Sequence, residues 1–198
     1  MPDQDRVVMR TATVEERVDA IQAALEARGL KAAEAVAELG HKAQEEWIPK
    51  NGARIVARAW VDPEFRKRLL ANGRDAVEEM GFQMPKHHRH LVVLENAPKL
   101  QNVICCTLCS CTAFTLIGLP PDWYKDLQYR SRVVRESRTV LAEMGLELAP
   151  DVEVRVWDTT ADTRYMVLPE RPAHTAGWSE EQLAAVVTRD SLIGVARL

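Results

Sequence analysis

All four cysteines of the 198-residue chain lie in one short segment, Cys105-Cys106-Thr107-Leu108-Cys109-Ser110-Cys111. A disulfide framework joins segments that are distant in the sequence, so this clustering argues against one. Closely spaced thiols are instead typical of a metal site or a redox site. The segment is therefore the strongest candidate in the sequence for a chemically active site.

The last two cysteines are spaced so that both can bind one metal ion together with the backbone between them. If the thiolates of Cys109 and Cys111 bind, the backbone nitrogens of Ser110 and Cys111 lie in the same coordination plane and close fused chelate rings. Cys106 can supply an axial thiolate, and one position then stays open for water or substrate, as in catalytic metal sites. Binding two deprotonated amides requires a strongly Lewis-acidic ion such as low-spin trivalent cobalt or iron.

Other kinds of site fit the same spacing. Structural zinc needs four ligands, and Cys105 or one of His87, His88 and His90 could complete such a set. An iron–sulfur cluster and a group of buried or redox cysteines are also compatible with it. The spacing alone leaves these alternatives open.

Two regions of different character position this segment. Residues 1–84 predict an N-terminal helical arm, with a capping box that begins at Thr13 and a helix that starts after Asp62-Pro63. Residues 85–198 predict a metal-binding catalytic domain of the α+β class, a layered α/β globule that carries the cysteine loop. The predicted helices span residues 13–29, 31–47, 53–60, 63–72, 75–80 and 179–187, and a helical region is predicted over 120–144. The predicted strands span 91–94, 102–104, 152–157 and 164–168, the last two as neighbours.

The composition excludes several classes of function. Apolar residues make up 46% of the chain, enough to bury a core, and the formal net charge of -3 offers no attraction for nucleic acid or an anionic membrane. We find no apolar run of about 18 residues that could span a bilayer. The polar N-terminus shows no signal region, so we expect a cytoplasmic protein.

The residue types of the whole cysteine segment are more specific than the spacing of the cysteines alone. Cys106-Thr107-Leu108-Cys109-Ser110-Cys111 resembles the metal claw of nitrile hydratase α subunits. The resemblance continues in matching order along nearly the whole chain after residue 13. It includes the segments Asn51-Gly52-Ala53-Arg54, Gly118-Leu119-Pro120-Pro121-Asp122-Trp123-Tyr124-Lys125, Tyr129-Arg130-Ser131-Arg132-Val133-Val134-Arg135-Glu136, Arg164-Tyr165-Met166-Val167-Leu168-Pro169 and Gly177-Trp178-Ser179.

This resemblance implies a ligand set and a reaction. Cys106, Cys109, Ser110 and Cys111 would hold the metal, with Cys109 oxidised to a sulfinic acid, Cys111 to a sulfenic acid and Cys106 left as a thiolate. Cys111, Cys109 and Ser110 would be the catalytic residues in the hydration of a nitrile to its amide. The nucleophile is left open between a sulfenate oxygen of Cys111 and water activated by the metal. The threonine at position 107 resembles the residue that cobalt-containing members have there. The resemblance therefore makes Co(III) the expected ion and Fe(III) the alternative.

The resemblance also implies partners. A β subunit would supply arginines to the oxidised sulfurs, in an αβ heterodimer or its dimer, and an activator protein for metallocentre assembly is possible. Two other functions remain open: the metal subunit of thiocyanate hydrolase, and a non-catalytic zinc-binding interaction subunit. We expect a neutral nitrile as substrate, because Thr112, Ala113, Phe114 and Thr115 follow the claw and none carries a charge.

Three features depart from the family pattern. Cys105 stands where a valine is usual, which indicates a small buried hydrophobic residue. Phe114 replaces a tryptophan. The basic stretch from Lys86 to His90 indicates a solvated patch, or alternatively a histidine close to the metal site.

Overall fold

The computed structural model describes residues 12–198, which form two compact units. One unit ends at Gln44 and the other comprises Glu45–Leu198. Within residues 12–198, none of the helices combines the length and the apolar character needed to cross a bilayer.

The first unit contains two helices, α1 (Val14–Glu26) and α2 (Ala32–Glu45). The predicted capping box is confirmed, because the Thr13 hydroxyl accepts from the Glu16 amide and the Glu16 carboxylate accepts from the Thr13 amide. Neither helix buries any residue. In α1, the apolar side chains of Val14, Val18 and Ile21 are each more than half exposed. These helices have amphipathic faces that no described residue of this unit buries.

The boundary between the two units lies after Gln44, earlier in the chain than residue 84. The expected division into domains 1–84 and 85–198 stays a prediction. Helix α3 (Pro49–Val61) buries six residues and belongs to the second unit. Pro49 occupies the first turn of this helix, where proline loses no hydrogen bond. Helices α4 (Pro63–Ala71) and α5 (Gly73–Glu79) follow, and Asp62 caps α4 as predicted by accepting from the Phe65 amide at 2.9 Å.

A glycine in α3 allows this helix to approach the segment that follows the cysteines. A Cβ at Gly52 would lie 2.8 Å from Cδ1 of Leu192 and 3.1 Å from the carbonyl oxygen of Leu116. The neighbouring Asn51 donates to the carbonyl oxygen of Thr115 at 3.0 Å. This pair of residues therefore fixes α3 against the chain immediately after the claw.

Four strands form two parallel pairs. Strand β1 (His90–Glu95) pairs with β4 (Thr163–Leu168), and β2 (Leu100–Cys105) pairs with β3 (Glu153–Asp158). The prediction that β3 and β4 are neighbours is wrong. The chain between them passes from one sheet to the other, since the Thr159 amide donates to Cys105 of β2 and the Asp162 carbonyl accepts from His90 of β1.

The helical region predicted over 120–144 is present, and it divides into three short helices. It contains α7 (Asp122–Lys125), α8 (Leu127–Arg132) and α9 (Ser137–Glu143), and is preceded by α6 (Phe114–Ile117). The Asp126 carboxylate starts a new helix by accepting from two amides. A 3-10 turn (Ala173–Thr175), α10 (Glu180–Val186) with its predicted Ser179 cap, and α11 (Arg189–Ile193) complete the α+β fold.

Candidate metal centre

The cysteine loop leaves the carboxyl end of a parallel strand pair. Strand β2 ends at Cys105, which lies opposite Asp158, the last residue of β3. Residues 106–113 form the loop, and α6 begins at Phe114. The carboxyl ends of parallel strands are where open α/β sheets place their ligand sites, so the loop lies where such a fold exposes functional residues.

Three sulfurs of the loop lie together. The Sγ atoms of Cys106, Cys109 and Cys111 all lie within 4.8 Å of one another. The Cys106–Cys109 separation is 3.4 Å and the Cys109–Cys111 separation is 3.0 Å. Cys106 is buried, Cys109 is exposed and Cys111 is half-buried, so the cluster is anchored on one side and accessible at its tip. Ser110, between the last two, is half-buried.

The sulfur separations discriminate between metal geometries. With metal–sulfur bonds of about 2.3 Å, two sulfurs at a right angle are about 3.3 Å apart, whereas two at a tetrahedral angle are about 3.8 Å apart. The observed 3.4 and 3.0 Å match the right angle. The cluster therefore fits an ion of octahedral type better than tetrahedral zinc. Among residues 12–198, no histidine, carboxylate or fourth cysteine joins it.

The buried thiol of Cys106 and the half-buried thiol of Cys111 differ in acidity. Burial acts to raise the pKa of Cys106, but hydrogen bonds from the Thr159 hydroxyl and from the amides of Cys109 and Cys111 outweigh it and lower the pKa to about 7. Burial and the hydrogen bond with Cys109 raise the pKa of Cys111 to about 11, against the opposing charge of Arg164. Cys106 is thus prepared as a thiolate by this chain's own groups, whereas Cys111 needs a cation, such as a metal, to lose its proton.

Cys105 is not part of the cluster. Its side chain is fully buried, and burial, with the negative charge of Asp158 and Cys106, raises its pKa to about 12. It packs in the hydrophobic core with its neighbour Ile104. The prediction of a small buried hydrophobic residue is confirmed.

We expect Cys105→Val to leave metal binding unchanged. Valine occupies nearly the same volume, so the free energy of unfolding should change by no more than about 1.5 kcal/mol. Metal analysis and thermal unfolding of the variant measure both quantities. Loss of the metal would instead support a site built from all four cysteines.

Asp158 holds the first turn of the loop. Its carboxylate accepts from the Thr107 amide at 2.9 Å and also from the Thr107 hydroxyl. Both bonds join the end of β3 to the loop across 51 residues of sequence. Both the backbone and the side chain of Thr107 therefore attach the loop to the end of β3.

Replacing Asp158 by alanine should loosen the loop and weaken metal binding. Outer partners of metal ligands typically contribute roughly 10-fold or more to affinity or activity, so we expect a loss of about that size for Asp158→Ala. The measurement is metal content per chain at limiting cobalt. Asp151→Ala, which removes an exposed carboxylate paired with Lys99, is the matched control. Equal metal content in the two variants would contradict the role of Asp158.

Three further residues contact the loop, and of these the sequence suggested only Tyr124 as a residue that could frame the site. The Tyr124 hydroxyl donates to the Cys111 carbonyl oxygen at 3.1 Å, and the Thr159 hydroxyl reaches the same oxygen at 3.4 Å. Nη1 of Arg130 donates to the carbonyl oxygen of Cys109 at 2.6 Å. Tyr124 and Arg130 lie in segments that resemble the family, which was the available signal, but their contacts depend on the fold.

The basic stretch before β1 has two kinds of histidine. His87 and His90 are exposed, as a solvated patch predicts. His88 is 1% exposed, so that interpretation is wrong for this residue. Burial, together with the charges of Arg164, His87 and Arg74, lowers the pKa of His88 to about 4. The centroid of its ring lies 5.3 Å from the centroid of the Phe114 ring. His88 is consequently a neutral core side chain at neutral pH.

Comparison with known proteins agrees with this fold and site. A histidine double mutant of the Fe-type nitrile hydratase from Comamonas testosteroni Ni1 has a chain that superposes with a TM-score of 0.91 at 55% identity, covering 95% of this chain and 91% of that one. Fold and sulfur cluster together define an α+β subunit with a metal-binding cysteine loop. The family described as nitrile hydratase, alpha chain, matches residues 12–196. The chain belongs to this family.

Two curated relatives extend the comparison. The chain is 48% identical over 194 residues to the α subunit of the low-molecular-weight cobalt-containing nitrile hydratase of Rhodococcus rhodochrous, which spans 98% of this chain and 93% of that one. It is 46% identical over 158 residues to the γ subunit of thiocyanate hydrolase from Thiobacillus thioparus, which spans 75% of this chain and 65% of that one. The expected resemblance to both kinds of enzyme is confirmed.

Proposed function

We propose that this chain is the metal-carrying α subunit of a nitrile hydratase, which adds one water to a nitrile to form the amide. The carrying observation is the cluster of three sulfurs within 4.8 Å of one another, in a chain that matches the family almost throughout. Cys106, Cys109 and Cys111 would bind the metal through sulfur, and Ser110 and Cys111 through their backbone nitrogens. The Cys109 amide donates to the Cys106 sulfur at 3.3 Å, and this bond supports the arrangement because it folds the loop backbone toward the sulfurs.

The bound metal would polarise the carbon–nitrogen triple bond of the nitrile and so make its carbon electrophilic. The chain's own groups position the reacting atoms. Thr159 and Tyr124 hold the Cys111 carbonyl, which fixes the residue whose sulfur we propose as sulfenic acid. Half-buried Phe114, packed between Trp47 and His88, offers an apolar surface suited to an alkyl or aryl group. The added oxygen ends on the former nitrile carbon and both hydrogens on its nitrogen, with no change of oxidation state.

Cobalt is the metal we propose. The Rhodococcus rhodochrous relative is named as cobalt-containing, and so is a second relative, from Pseudonocardia thermophila, at 45% identity. The Comamonas testosteroni structure is named as Fe-type, which keeps iron as the alternative. Growth of the host with cobalt or with iron, followed by metal analysis of the purified complex, distinguishes the two.

The partner we propose is a nitrile hydratase β subunit. Cys109 is exposed and the side chain of Leu108 is 87% exposed, so the tip of the loop is uncovered in this chain. A single exposed leucine needs no partner by itself, so the proposal rests mainly on the match to the nitrile hydratase α-chain family. The Rhodococcus relative is itself named as a subunit.

Thiocyanate hydrolysis is the second candidate, and one observation favours it. Arg164 is 4% exposed, and its charge acts on Cys111, where it could attract an anion. Its burial argues against direct contact with a substrate, and Thr112 and Ala113 beside the loop are buried and uncharged. Desolvating an anion without a contacting cation is costly, which favours a neutral nitrile.

The test is a direct comparison on the cobalt-loaded complex with its β subunit. We expect a higher kcat/KM for a simple aliphatic nitrile than for thiocyanate, with amide as the product. Metal-free complex, turning over neither, is the control. A higher kcat/KM for thiocyanate would reverse the substrate assignment and leave the metal centre as proposed.

A further inference from the structure

Arg130 places a positive charge on the backbone of the cysteine loop. Its Nη1 donates to the carbonyl oxygen of Cys109 at 2.6 Å, a short bond of the kind that a charged donor makes. Its Nε is buried and has no hydrogen-bond partner. Within residues 12–198, no carboxylate lies in ion-pair distance of this guanidinium, so its charge is not neutralised by any described side chain.

The two neighbouring arginines of the same segment behave differently. Arg132 forms ion pairs with Glu136 and Glu143, and Arg135 is exposed and donates to the carbonyl oxygen of Ser131. Arg132 is half-buried with its charge paired, and only Arg135 lies on a solvated face. Arg130 is half-buried and directed at the loop.

The helix that carries Arg130 is fixed relative to β2. The Asp126 carboxylate caps its first turn, and the Tyr129 hydroxyl donates to the carbonyl oxygen of Ile104 at 2.9 Å. Tyr129 is itself buried. The guanidinium is therefore presented to Cys109 from an anchored element, as a positioning group should be.

The oxygen that Arg130 contacts belongs to the peptide that joins Cys109 to Ser110. When the Ser110 nitrogen binds a metal, its proton leaves to solvent and resonance shares the negative charge between that nitrogen and this oxygen. A guanidinium at the oxygen stabilises that charge, the more so because the partly buried loop screens it less than water would. The contact thus fits a metal-bound peptide better than an ordinary one.

We propose that Arg130 is a positioning residue of the metal centre, which orients the Cys109–Ser110 peptide and supplies the countercharge for its metal-bound nitrogen. The proposal rests on the proposed function, because it requires a metal bound through the backbone. It assigns to this chain a cation that acts on the ligand backbone, in addition to the β-subunit arginines implied for the oxidised sulfurs.

The test separates charge from hydrogen bonding in the complex with the β subunit. Arg130→Lys keeps the charge, whereas Arg130→Gln keeps a donor without it, and Arg135→Gln is the matched control on the same segment. The readouts are the cobalt supply needed for half occupancy, the position of the sulfur-to-cobalt charge-transfer absorption, and the Tm of the cobalt-free complex. We expect Arg130→Gln to need roughly 10-fold more cobalt and to shift the absorption, at unchanged Tm. Arg130→Lys should stay close to the control.

Two results would overturn the proposal. Equal cobalt requirement and equal absorption in Arg130→Gln and Arg135→Gln would show that the charge has no effect on the centre. A similar fall in Tm for both Arg130 variants would show a purely structural side chain. Failure of the unsubstituted complex to bind cobalt would instead refute the proposed function, so the two failures are distinguishable.

Discussion

Replacement of Cys109 or Cys111 by alanine should remove both the bound metal and the activity. Each sulfur lies within 3.4 Å of another sulfur of the cluster, so each substitution deletes a donor of a fused chelate and not merely a packing group. Changes to the outer partners of metal ligands already cost roughly 10–100-fold, so the loss of a ligand should cost more than about 100-fold in turnover. Cobalt content per chain and turnover of a simple nitrile are the two measurements.

Ser110→Ala is the matched control for these variants. It keeps the backbone nitrogen that we propose as a ligand and removes only the hydroxyl, so the loop should retain cobalt. Stoichiometric cobalt and normal turnover in Cys109→Ala or Cys111→Ala would refute the proposed metal centre. Loss of cobalt from Ser110→Ala would show that the serine hydroxyl is itself needed for metal binding.

Omission of the β subunit should lower turnover by a comparable factor. The loop exposes Cys109 and Leu108, and a site open to water loses much of the electrostatic advantage of a buried one. Helices α1 and α2 bury none of their residues, which leaves apolar faces for a partner to cover. We expect at least about a 100-fold lower turnover for the isolated chain, since loss of a single preorganised donor can cost that much.

Both preparations must carry the same amount of cobalt, so that the comparison measures the environment of the metal and not its occupancy. Addition of separately purified β subunit to the isolated chain should then restore turnover. An isolated chain as active as the complex would mean that one subunit contains the complete site.

The sequence by itself determined the parts of this protein that depend on covalent neighbours. The sulfurs of Cys106, Cys109 and Cys111 can meet because the three cysteines lie within six consecutive residues. Helix starts at Thr13 and Asp62 were predictable for the same reason, since a cap and the amide it accepts from are three residues apart. The strand positions also followed from local patterns of apolar residues.

Only the tertiary structure decided what surrounds the loop. Asp158 reaches Thr107 across 51 residues, and Arg130 reaches Cys109 across 21, through strand pairings and helix anchors that no local pattern specifies. The pairing of β3 with β2 instead of β4 is the decisive case, because it brings Asp158 opposite Cys105 at the carboxyl end of the sheet. Parallel partners are joined by long crossovers, so their choice depends on how the whole core packs and not on the sequence of either strand.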